Sequence, residues 1–388
     1  MADRTVNNAK GQYGMPLTAE QIAIRTMTRD FTRREIFPHA LEWDRTETVP
    51  LATIRAAGGL GLFGVALPAA HGGAGADFTS YVLAMEELAY GDAGVCNTIT
   101  ATNSFGIKVR DFGTEAQKER FLRPVASGQW IACMALTEPQ AGSDAGALTT
   151  RAERRGDCYV LNGVKSLITS GRSANAAMVV AVTDAGAGKR GISAFLVRTD
   201  TPGWNVLRAE RKLGHRSNDT CQIALDNLEV PAEDMLGAPG EGLKVAFSGL
   251  ESGRIVVAAQ AIGVARAAFD AALAYARERR TFGKAIVEHQ AVAFQLADMA
   301  TEIEVARQMC LHAAALKQAG ERCVKEASMA KLFASQMSER VCSAAIQIHG
   351  GYGFVADYRV EKYWRDCRVF QLYDGTNEVQ KIVIAREL

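Results

Sequence analysis

The sequence predicts an α+β protein of several domains: an N-terminal helical domain, a middle domain of β-barrel or β-sandwich type, and a C-terminal four-helix bundle. The first observation behind this is helical apolar spacing from Leu17 to about Gln129. The second is a change to short β-type runs from Trp130, and the third is a return to helical spacing from Gly240. We therefore place a disordered tail at 1–16 and domains at 17–129, 130–235 and 236–388.

The N-terminal helices are indicated by their ends and their spacing. Thr18–Gln21 has the pattern of a capping box, and Phe78–Leu88 and Gly113–Ser127 have helical spacing. The Gly-rich stretch Gly58–Asp77 predicts connecting loops. Within it, Gly59–Gly64 matches the GxGxxG pattern of dinucleotide-binding loops. A helix-like segment precedes that pattern and no helix follows it, so we interpret these residues as turn glycines.

The middle and C-terminal domains are predicted from opposite patterns. Short apolar runs between Gly, Pro, Asp and Asn are typical of strands. Four such runs are Cys158–Gly163, Met178–Val182, Ile192–Val197 and Cys221–Val230. Long Ala-rich segments with helical spacing predict a bundle, because small side chains let helices approach closely. These segments are Gly242–Arg280, Val287–Ala319 and Val324–Ile348.

The composition excludes several classes of protein. Of 388 residues, 48% are hydrophobic and 22% are charged, which argues against extensive disorder. The net charge of +1 gives no reason to expect a nucleic acid partner or an anionic membrane surface. No uninterrupted apolar run approaches the roughly 18 residues of a membrane span, and residues 1–14 lack the apolar core of a secretory signal. We expect a cytoplasmic protein without a metal site. Its eight cysteines include no CxxC pair, which predicts reduced, buried thiols.

Five polar motifs could carry chemistry, although each alone is more often ordinary structure. They are Leu136–Asp144, Lys165–Gly171, Arg277–Lys284, Gln347–Phe354 and Tyr373–Glu378. Small and hydroxyl residues in the first two can accept a planar polar ligand, or can simply form a turn and a strand end. The four positive charges of the third suit a diphosphate, or a helix C-terminus. The glycines of the fourth expose backbone amides, or cap a helix.

The fifth motif contains the candidate base, Asp374. It lies in a tight turn between apolar Val369–Leu372 and helical Val379–Ala385. Asp-Gly is a common turn signal. A carboxylate at the edge of apolar residues also acquires a raised pKa, which suits a general base.

Taken in order, the motifs LTEPxAGSD, RxTFGK, QIHGGYGF and YxGTNExQ resemble the acyl-CoA dehydrogenase family of flavoproteins, from about Leu17 to Leu388. The resemblance implies a homotetramer that binds FAD between the β domain and the C-terminal bundle, with a neighbouring subunit completing the site. It implies an acyl-CoA substrate, which is converted to a trans-2-enoyl-CoA. It also implies an electron-transfer flavoprotein as the electron acceptor.

The resemblance further implies individual contacts. On the flavin side these are Met134, Leu136, Thr137, Gly142, Ser143, Leu167, Ile168 and Thr169. Toward the diphosphate and adenosine, some of them on a subunit-related FAD, they are Arg279, Thr281, Phe282, Gln290, Gln347, Gly350, Gly351, Thr376 and Glu378. The implied acyl-CoA contacts are Ser143, Glu251, Arg254 and Gly375, the last beside the thioester. Thr100 is expected to line the base of the acyl pocket.

The sequence departs from the family pattern at three positions, which are Asp374, Gly253 and Leu167. Family members usually carry Glu where Asp374 stands, and some carry the base instead immediately before an Arg, where this chain has Gly253. An Asp retracts the carboxylate by roughly 1.5 Å. Leu167 replaces a Trp or Phe and covers less of a flavin ring.

Three interpretations of Asp374 remain open. The backbone or substrate shifts and the enzyme uses a short linear acyl-CoA, or the space at Cα suits an α-branched or alicyclic acyl group. In the third, the fold performs a different elimination. Asp92 is a secondary candidate for the catalytic carboxylate in that case, and the alternative is that it is only a helix-end residue. An acyl-CoA oxidase and a non-catalytic binding protein are further alternatives.

Overall fold

The computed structural model describes residues 16–388, so all but the last residue of the predicted tail at 1–16 lies outside the described residues. The N-terminal part is helical up to Ala126. Its helices are α1 (Ala19–Phe31), α2 (Ala40–Thr46), α3 (Leu51–Gly59), α4 (Phe78–Gly91), α5 (Ala93–Phe112), α6 (Glu115–Gln117) and α7 (Arg123–Ala126). A π-helical segment, Lys118–Leu122, joins α6 to α7.

Local signals in the sequence account for the ends of these helices. The predicted capping box is present: Gln21 N–H donates to Thr18 Oγ1 at 3.2 Å, and Thr18 N–H donates to Gln21 Oε1 at 2.9 Å. The GxGxxG pattern starts at Gly59, the last residue of α3, and continues through turns, with the 3₁₀ segment Ala69–His71 beyond it. Gly61 and Gly64 lie in this turn region, as interpreted, whereas Gly59 still belongs to the helix.

The middle part is built around one mixed sheet, which confirms the prediction of a central β domain. Its strands are β1 (Ala132–Ala135), β2 (Arg151–Arg155), β3 (Cys158–Thr169), β4 (Ala176–Val182), β5 (Ile192–Arg198), β6 (Trp204–Ala209), β7 (Thr220–Pro231) and β8 (Met235–Leu236). The strand order is β6-β7-β3-β2-β4-β5-β8, and β1 pairs in parallel with β4. Both faces of β4 and β5 are buried, so their residues form apolar runs rather than an alternating pattern.

The C-terminal part is again helical, and a hairpin of two short strands, each of two residues, lies between its first two long helices. Its elements are α8 (Gly242–Phe247), α9 (Leu250–Glu278), β9 (Arg280–Thr281), β10 (Lys284–Ala285), α10 (Gln290–Gln318), α11 (Val324–His349), α12 (Val360–Cys367) and α13 (Asn377–Arg386). Helix α9 packs against α4, α10 and α11 and is the central element of the molecule. Small residues such as Ala258, Ala261 and Ala265 are completely buried on it, as close helix packing requires.

One predicted helix is wrong in extent. The segment Gly242–Arg280 was expected to be continuous, but it breaks between Phe247 and Leu250, where Gly249 takes φ +67°. The left-handed region is open to glycine at little cost, so the chain can change direction there. The break places the beginning of α9 beside the candidate base.

Within that segment, Gly242–Glu278 is the one stretch of residues 16–388 whose length and apolar character make it a candidate membrane span. Its most apolar 18-residue window has a mean hydropathy of 1.5, and 78% of that window is buried inside the protein. Seven of the eight cysteines are buried free thiols, as expected, whereas Cys158 is only partly buried.

Candidate active site

The predicted turn before α13 carries Asp374 in an unusual backbone conformation. Asp374 has φ +51° and Gly375 has φ +84°. Asp is one of the few non-glycine residues that enter the left-handed region readily. Thr376 then caps α13, since its hydroxyl accepts from Val379 N–H at 3.4 Å. Two consecutive left-handed residues turn the Asp374 carboxylate back toward α9.

The carboxylate lies against the first turn of α9. A Cβ built on Gly253 would lie 3.3 Å from Asp374 Oδ2 and 3.9 Å from its Cγ, and it would touch no other group within 4 Å. Gly253 is the alternative position for the base that the resemblance implied. The two positions considered for a base therefore carry a short side chain and no side chain, and they adjoin each other.

Three cations from three helices surround Asp374. Burial raises the pKa of Asp374, while Lys331 on α11, Lys108 on α5 and Arg254 on α9 act in the opposite direction. Asp374 as a whole is exposed, so a ligand can reach it. A carboxylate with a raised pKa and an open side can accept a proton from a ligand.

A chain of polar side chains lies next to this turn. Tyr373 donates its hydroxyl to Gln260 Oε1 at 2.5 Å, and Gln260 Nε2 donates to Thr100 Oγ1 at 2.7 Å. Thr100, predicted to line the pocket base, therefore lies close to the candidate base. Burial and the nearby Asp374 raise the pKa of Tyr373, so its hydroxyl stays protonated.

A buried ion pair holds the Leu136–Asp144 segment against β3. Lys165 Nζ lies 2.8 Å from Glu138 Oε1, and both side chains are almost fully buried. Burial alone would raise the pKa of Glu138, but the Lys165 ammonium and several hydrogen bonds lower it to about 2. The carboxylate also accepts the backbone N–H groups of Thr149 and Thr150. These contacts fix the segment, while Gly142 and Ser143 remain exposed.

An irregularity in β3 exposes the apolar side chain next to this segment. The pairing of β3 with β7 shifts just before Ile168, where Leu167 takes φ +57°. Leu167 is consequently 62% exposed, whereas Ile168 is 2% exposed. Ser166 N–H donates to Thr137 O at 2.9 Å and ties the two predicted flavin segments together. An exposed leucine, Thr169 and the Leu136–Asp144 segment therefore lie next to one another in the structure.

A cavity of about 490 Å³ brings two other predicted segments together. It is lined by Arg279 and Thr281 from the hairpin and by Gly350, Gly351 and Tyr352 after α11. A Cβ at either glycine would meet nothing within 4 Å, so the backbone there is accessible. The Gly350 amide donates to the carbonyl of Gln347, but the guanidinium of Arg279 and the hydroxyl of Thr281 form a donor set that suits a diphosphate. Asp374 does not line this cavity.

The remaining predicted FAD contacts lie at the surface or in a neighbouring groove. Gln347 lines a groove of about 860 Å³ formed by α10, α11, α12 and the residues after α12. Phe282 is 95% exposed at the tip of the β9–β10 hairpin, and Gln290 is exposed at the start of α10. Gly142 and Ser143 are exposed in their loop, and Glu378 is exposed in the first turn of α13.

The predicted acyl-CoA contacts divide into two kinds. Arg254 is 6% exposed, donates from Nη1 to Ser328 Oγ at 3.1 Å and faces Asp374. Glu251 instead forms an ion pair with Lys317 at 3.1 Å. Gly375 directly follows the candidate base. Arg254 and Gly375 therefore lie at the Asp374 site. Glu251, one helical turn before Arg254 on α9, pairs with Lys317 instead.

Sequence reasoning missed two lysines of this site. Lys331 is fully buried, and Lys108 is 4% exposed and donates to the carbonyl of Ser248. Lys331 lies in phase with the buried small residues Ala327 and Ala334 of α11, and a lysine in an otherwise small buried face is a usable signal. Lys108 is in phase with Thr100 on α5, but its sequence neighbours gave no comparable pattern.

Asp92 is a structural residue. It caps α5 by accepting Val95 N–H at 2.9 Å, and its other oxygen lies 2.9 Å from Lys362 Nζ. Burial would raise the pKa of Asp92, but Lys362 and a hydrogen bond from Ser217 lower it. Lys362 also pairs with Asp366. The cluster joins the helical parts to the loop before β7, and its engaged carboxylate is a poor proton acceptor.

The chain matches the acyl-CoA dehydrogenase N-terminal domain over residues 18–129, the middle domain over 133–228 and the C-terminal domain over 240–388. It is 47% identical over 376 residues to the probable acyl-CoA dehydrogenase YngJ of Bacillus subtilis, covering 96% of this chain and 98% of that protein. It is 42% identical over 364 residues to the caffeyl-CoA reductase-Etf complex subunit CarC of Acetobacterium woodii, covering 93% and 96%.

A solved structure gives the same result. Butyryl-CoA dehydrogenase from Megasphaera elsdenii superposes with a TM-score of 0.94 at 40% identity, covering 96% of this chain and 99% of that one. The fold and the comparisons define a flavoprotein oxidoreductase that acts on a CH–CH group. The chain belongs to the acyl-CoA dehydrogenase family.

Proposed function

We propose that this protein is an FAD-dependent acyl-CoA dehydrogenase in which Asp374 removes the α-proton of an acyl-CoA thioester. The observation that most directly supports this proposal is the placement of Asp374. The residue is accessible, its pKa is raised, and its carboxylate is directed at the glycine of α9 where relatives of this family can place a base. Its product would be the trans-2-enoyl-CoA.

The chemistry requires a base, an oxyanion stabiliser and a hydride acceptor. A Cα–H beside a thioester is a weak acid, and removing its proton becomes feasible when hydrogen bonds stabilise the charge on the thioester oxygen. Asp374 accepts that proton, and its raised pKa brings its basicity closer to neutral pH. FAD, when bound, would accept the β-hydrogen as hydride. Gly375, directly after the base, would lie beside the thioester.

The described residues fit FAD by their chemistry. Exposed Leu167 and the hydroxyl of Thr169 suit the face and the heteroatoms of an isoalloxazine ring. The cavity of Arg279, Thr281 and Gly350 suits a diphosphate. Because that cavity excludes Asp374, we propose that it serves the FAD of a neighbouring subunit in a homotetramer. The other proposed contacts are Met134, Leu136, Thr137, Gly142, Ser143, Ile168, Phe282, Gln290, Gln347, Gly351, Thr376 and Glu378.

The acyl group is proposed to be short, with room for a substituent at Cα. Asp374 is shorter than Glu, and the adjoining Gly253 has no side chain, so space remains beside the base. The polar chain from Tyr373 through Gln260 to Thr100 lies next to this space and would limit the length of the acyl chain. Similarity to butyryl-CoA dehydrogenase supports a short substrate. An α-branched or alicyclic acyl group would use the additional space.

The electron acceptor is proposed to be an electron-transfer flavoprotein. The similarity to the Etf-complex subunit CarC supports this partner. Ser143, Glu251, Arg254 and Gly375 are the proposed contacts to acyl-CoA. A cytoplasmic location stays a prediction from the sequence.

The test is anaerobic mixing of the FAD-loaded protein with a panel of acyl-CoAs while flavin absorbance is followed. Butyryl, hexanoyl, isobutyryl, 2-methylbutyryl and cyclohexanecarboxyl thioesters would be compared. We expect bleaching by at least one member in the wild type and its loss in Asp374→Asn, which keeps the shape but removes the base. An unchanged bleaching rate in Asp374→Asn would refute the assignment of the base. Bleaching by no member would refute this range of substrates.

A further inference from the structure

Lys331 contacts the turn that carries the proposed base, although it lies 44 residues away from that turn in the sequence. Its Nζ donates to the carbonyl of Gly375 at 2.9 Å and to Asn377 Oδ1 at 3.0 Å. The side chain is fully buried in the middle of α11. A buried ammonium is costly unless it is paired or hydrogen-bonded, so these contacts explain how this one is tolerated.

A second side chain reinforces the same turn. Gln380, on α13, donates from Nε2 to the carbonyl of Gly375 at 2.9 Å and to that of Asp374 at 3.2 Å. The Gly375 carbonyl thus receives two donors, one charged and one neutral. Asp374 has φ +51° and Gly375 φ +84°, and the two donors select this turn from the conformations that an Asp-Gly pair can adopt.

We propose that Lys331 is a positioning residue, which anchors the Asp374–Gly375 turn to α11 and so fixes the direction of the base. This inference rests on the proposed function. Lys331 touches no reacting atom and acts through the carbonyl of Gly375. A misplacement of about 1 Å at a reacting group can cost on the order of 100-fold in rate, so the anchor has a measurable consequence.

The charge of Lys331 has a separate effect from its hydrogen bonds. The charged groups facing Asp374 are Lys331 on α11, Lys108 on α5 and Arg254 on α9, with the neutral phenols of Tyr81 and Tyr373 beside them. Losing either lysine raises the pKa of Asp374, which moves the acid side of the rate profile to higher pH. Of the two lysines, only Lys331 also provides a hydrogen bond to the turn, which its loss would remove.

These neighbours allow the two effects to be separated. Lys108→Met removes a similar charge without removing a bond to the turn, because Lys108 donates to Ser248 O. Gln380→Ala removes a neutral donor to the turn and leaves the cations in place. Lys331→Met removes a charge and a bond together, and Lys331→Arg keeps the charge.

The experiment measures anaerobic flavin reduction by a saturating acyl-CoA from pH 5 to 10 in the holoenzyme. For Lys331→Met we expect a shift of the acid limb to higher pH and a fall of the high-pH plateau by on the order of 10-fold to 100-fold. For Lys108→Met we expect a shifted limb with a smaller fall of the plateau than in Lys331→Met, and for Gln380→Ala a lowered plateau with an unshifted limb. Lys331→Arg should recover part of the plateau.

A readout without turnover accompanies the kinetics. Amide hydrogen exchange of the peptide spanning 373–380 should accelerate in Lys331→Met and Gln380→Ala but not in Lys108→Met. Equal plateaus in Lys331→Met and Lys108→Met, or unchanged exchange in Lys331→Met, would overturn the positioning role. If Lys331→Met does not fold, Gln380→Ala decides by the same criteria. Absence of reduction in the wild type would instead refute the proposed function.

Discussion

Gly253→Ala tests whether the space beside the base selects the substrate. The new methyl group would lie 3.3 Å from Asp374 Oδ2 and would touch nothing else within 4 Å. Gly253 is in the first turn of α9, where alanine is favoured over glycine by up to about 1 kcal/mol, so the variant should fold at least as well as the wild type. Any loss of activity then has a local cause.

The structure gives the size of the expected effect. A 3.3 Å contact requires the carboxylate to withdraw by a few tenths of an ångström. If about 1 Å costs on the order of 100-fold, a third of that displacement costs roughly 5-fold for a linear substrate. A substituent at Cα would compete with the new methyl for the same space, and overpacking costs about 1–3 kcal/mol, or roughly 5-fold to 150-fold.

The assay is kcat/KM for butyryl-CoA and for cyclohexanecarboxyl-CoA, measured in the wild type and in Gly253→Ala. We expect the cyclic-to-linear ratio to fall by about 10-fold or more. Gly59→Ala is the matched control, because that glycine is also helical and has open space beside it. Equal losses for both substrates would refute the argument that this space accommodates a substituent.

Three further outcomes follow from the structure. Lys362→Met leaves the buried Asp92 without its cation, so the free energy of unfolding in denaturant should fall by about 3–5 kcal/mol, and a fall below 1 would contradict the role of the cluster. Glu86 and Glu138 have pKa values of about 2, below the usual 4.5, so each stabilises the fold above pH 4.5. That contribution should disappear as the pH falls toward 2, as thermal melts between pH 7 and 2 would show. Leu167→Trp should slow FAD release, measured by flavin fluorescence, since a larger ring covers more of the flavin, and faster release would count against its placement.

Most elements of the fold could be predicted because their signals are local. The α11 helix was expected to begin at Val324 and end at Ile348, and it ends one residue later, where Gly350 at φ +59° stops it. The break in the segment Gly242–Arg280 could not be predicted in the same way. It depends on the left-handed Gly249 and on a contact between Ser248 and Lys108, which lies 140 residues earlier. Such a contact leaves no period or cap in the sequence.

In the candidate site, too, local features were predictable from the sequence and long-range contacts were not. The turn at Asp374 was predictable, because Asp-Gly between an apolar run and a helix is a local pattern. Its electrostatic environment was not, since Lys331 and Lys108 reach it through tertiary contacts alone. The suggestion that Asp92 takes part in catalysis rested on sequence position, and the structure engages that carboxylate with Lys362. Long-range pairing therefore decides which carboxylate remains free to react.

The arrangement around Asp374 also links catalysis to the assembly of the fold. When a substrate fills the site, water is excluded, and both the desolvation of the carboxylate and its attraction to nearby cations grow as the local dielectric falls. The base stays ionised only if the cations are already in place. Because Lys108 lies on α5, Arg254 on α9 and Lys331 on α11, that condition is met only where the N-terminal and C-terminal helices are correctly packed. A partly assembled protein would lack both the helices that desolvate this carboxylate and the cations that favour its ionised form, so the shifted pKa of the base arises together with the packed fold.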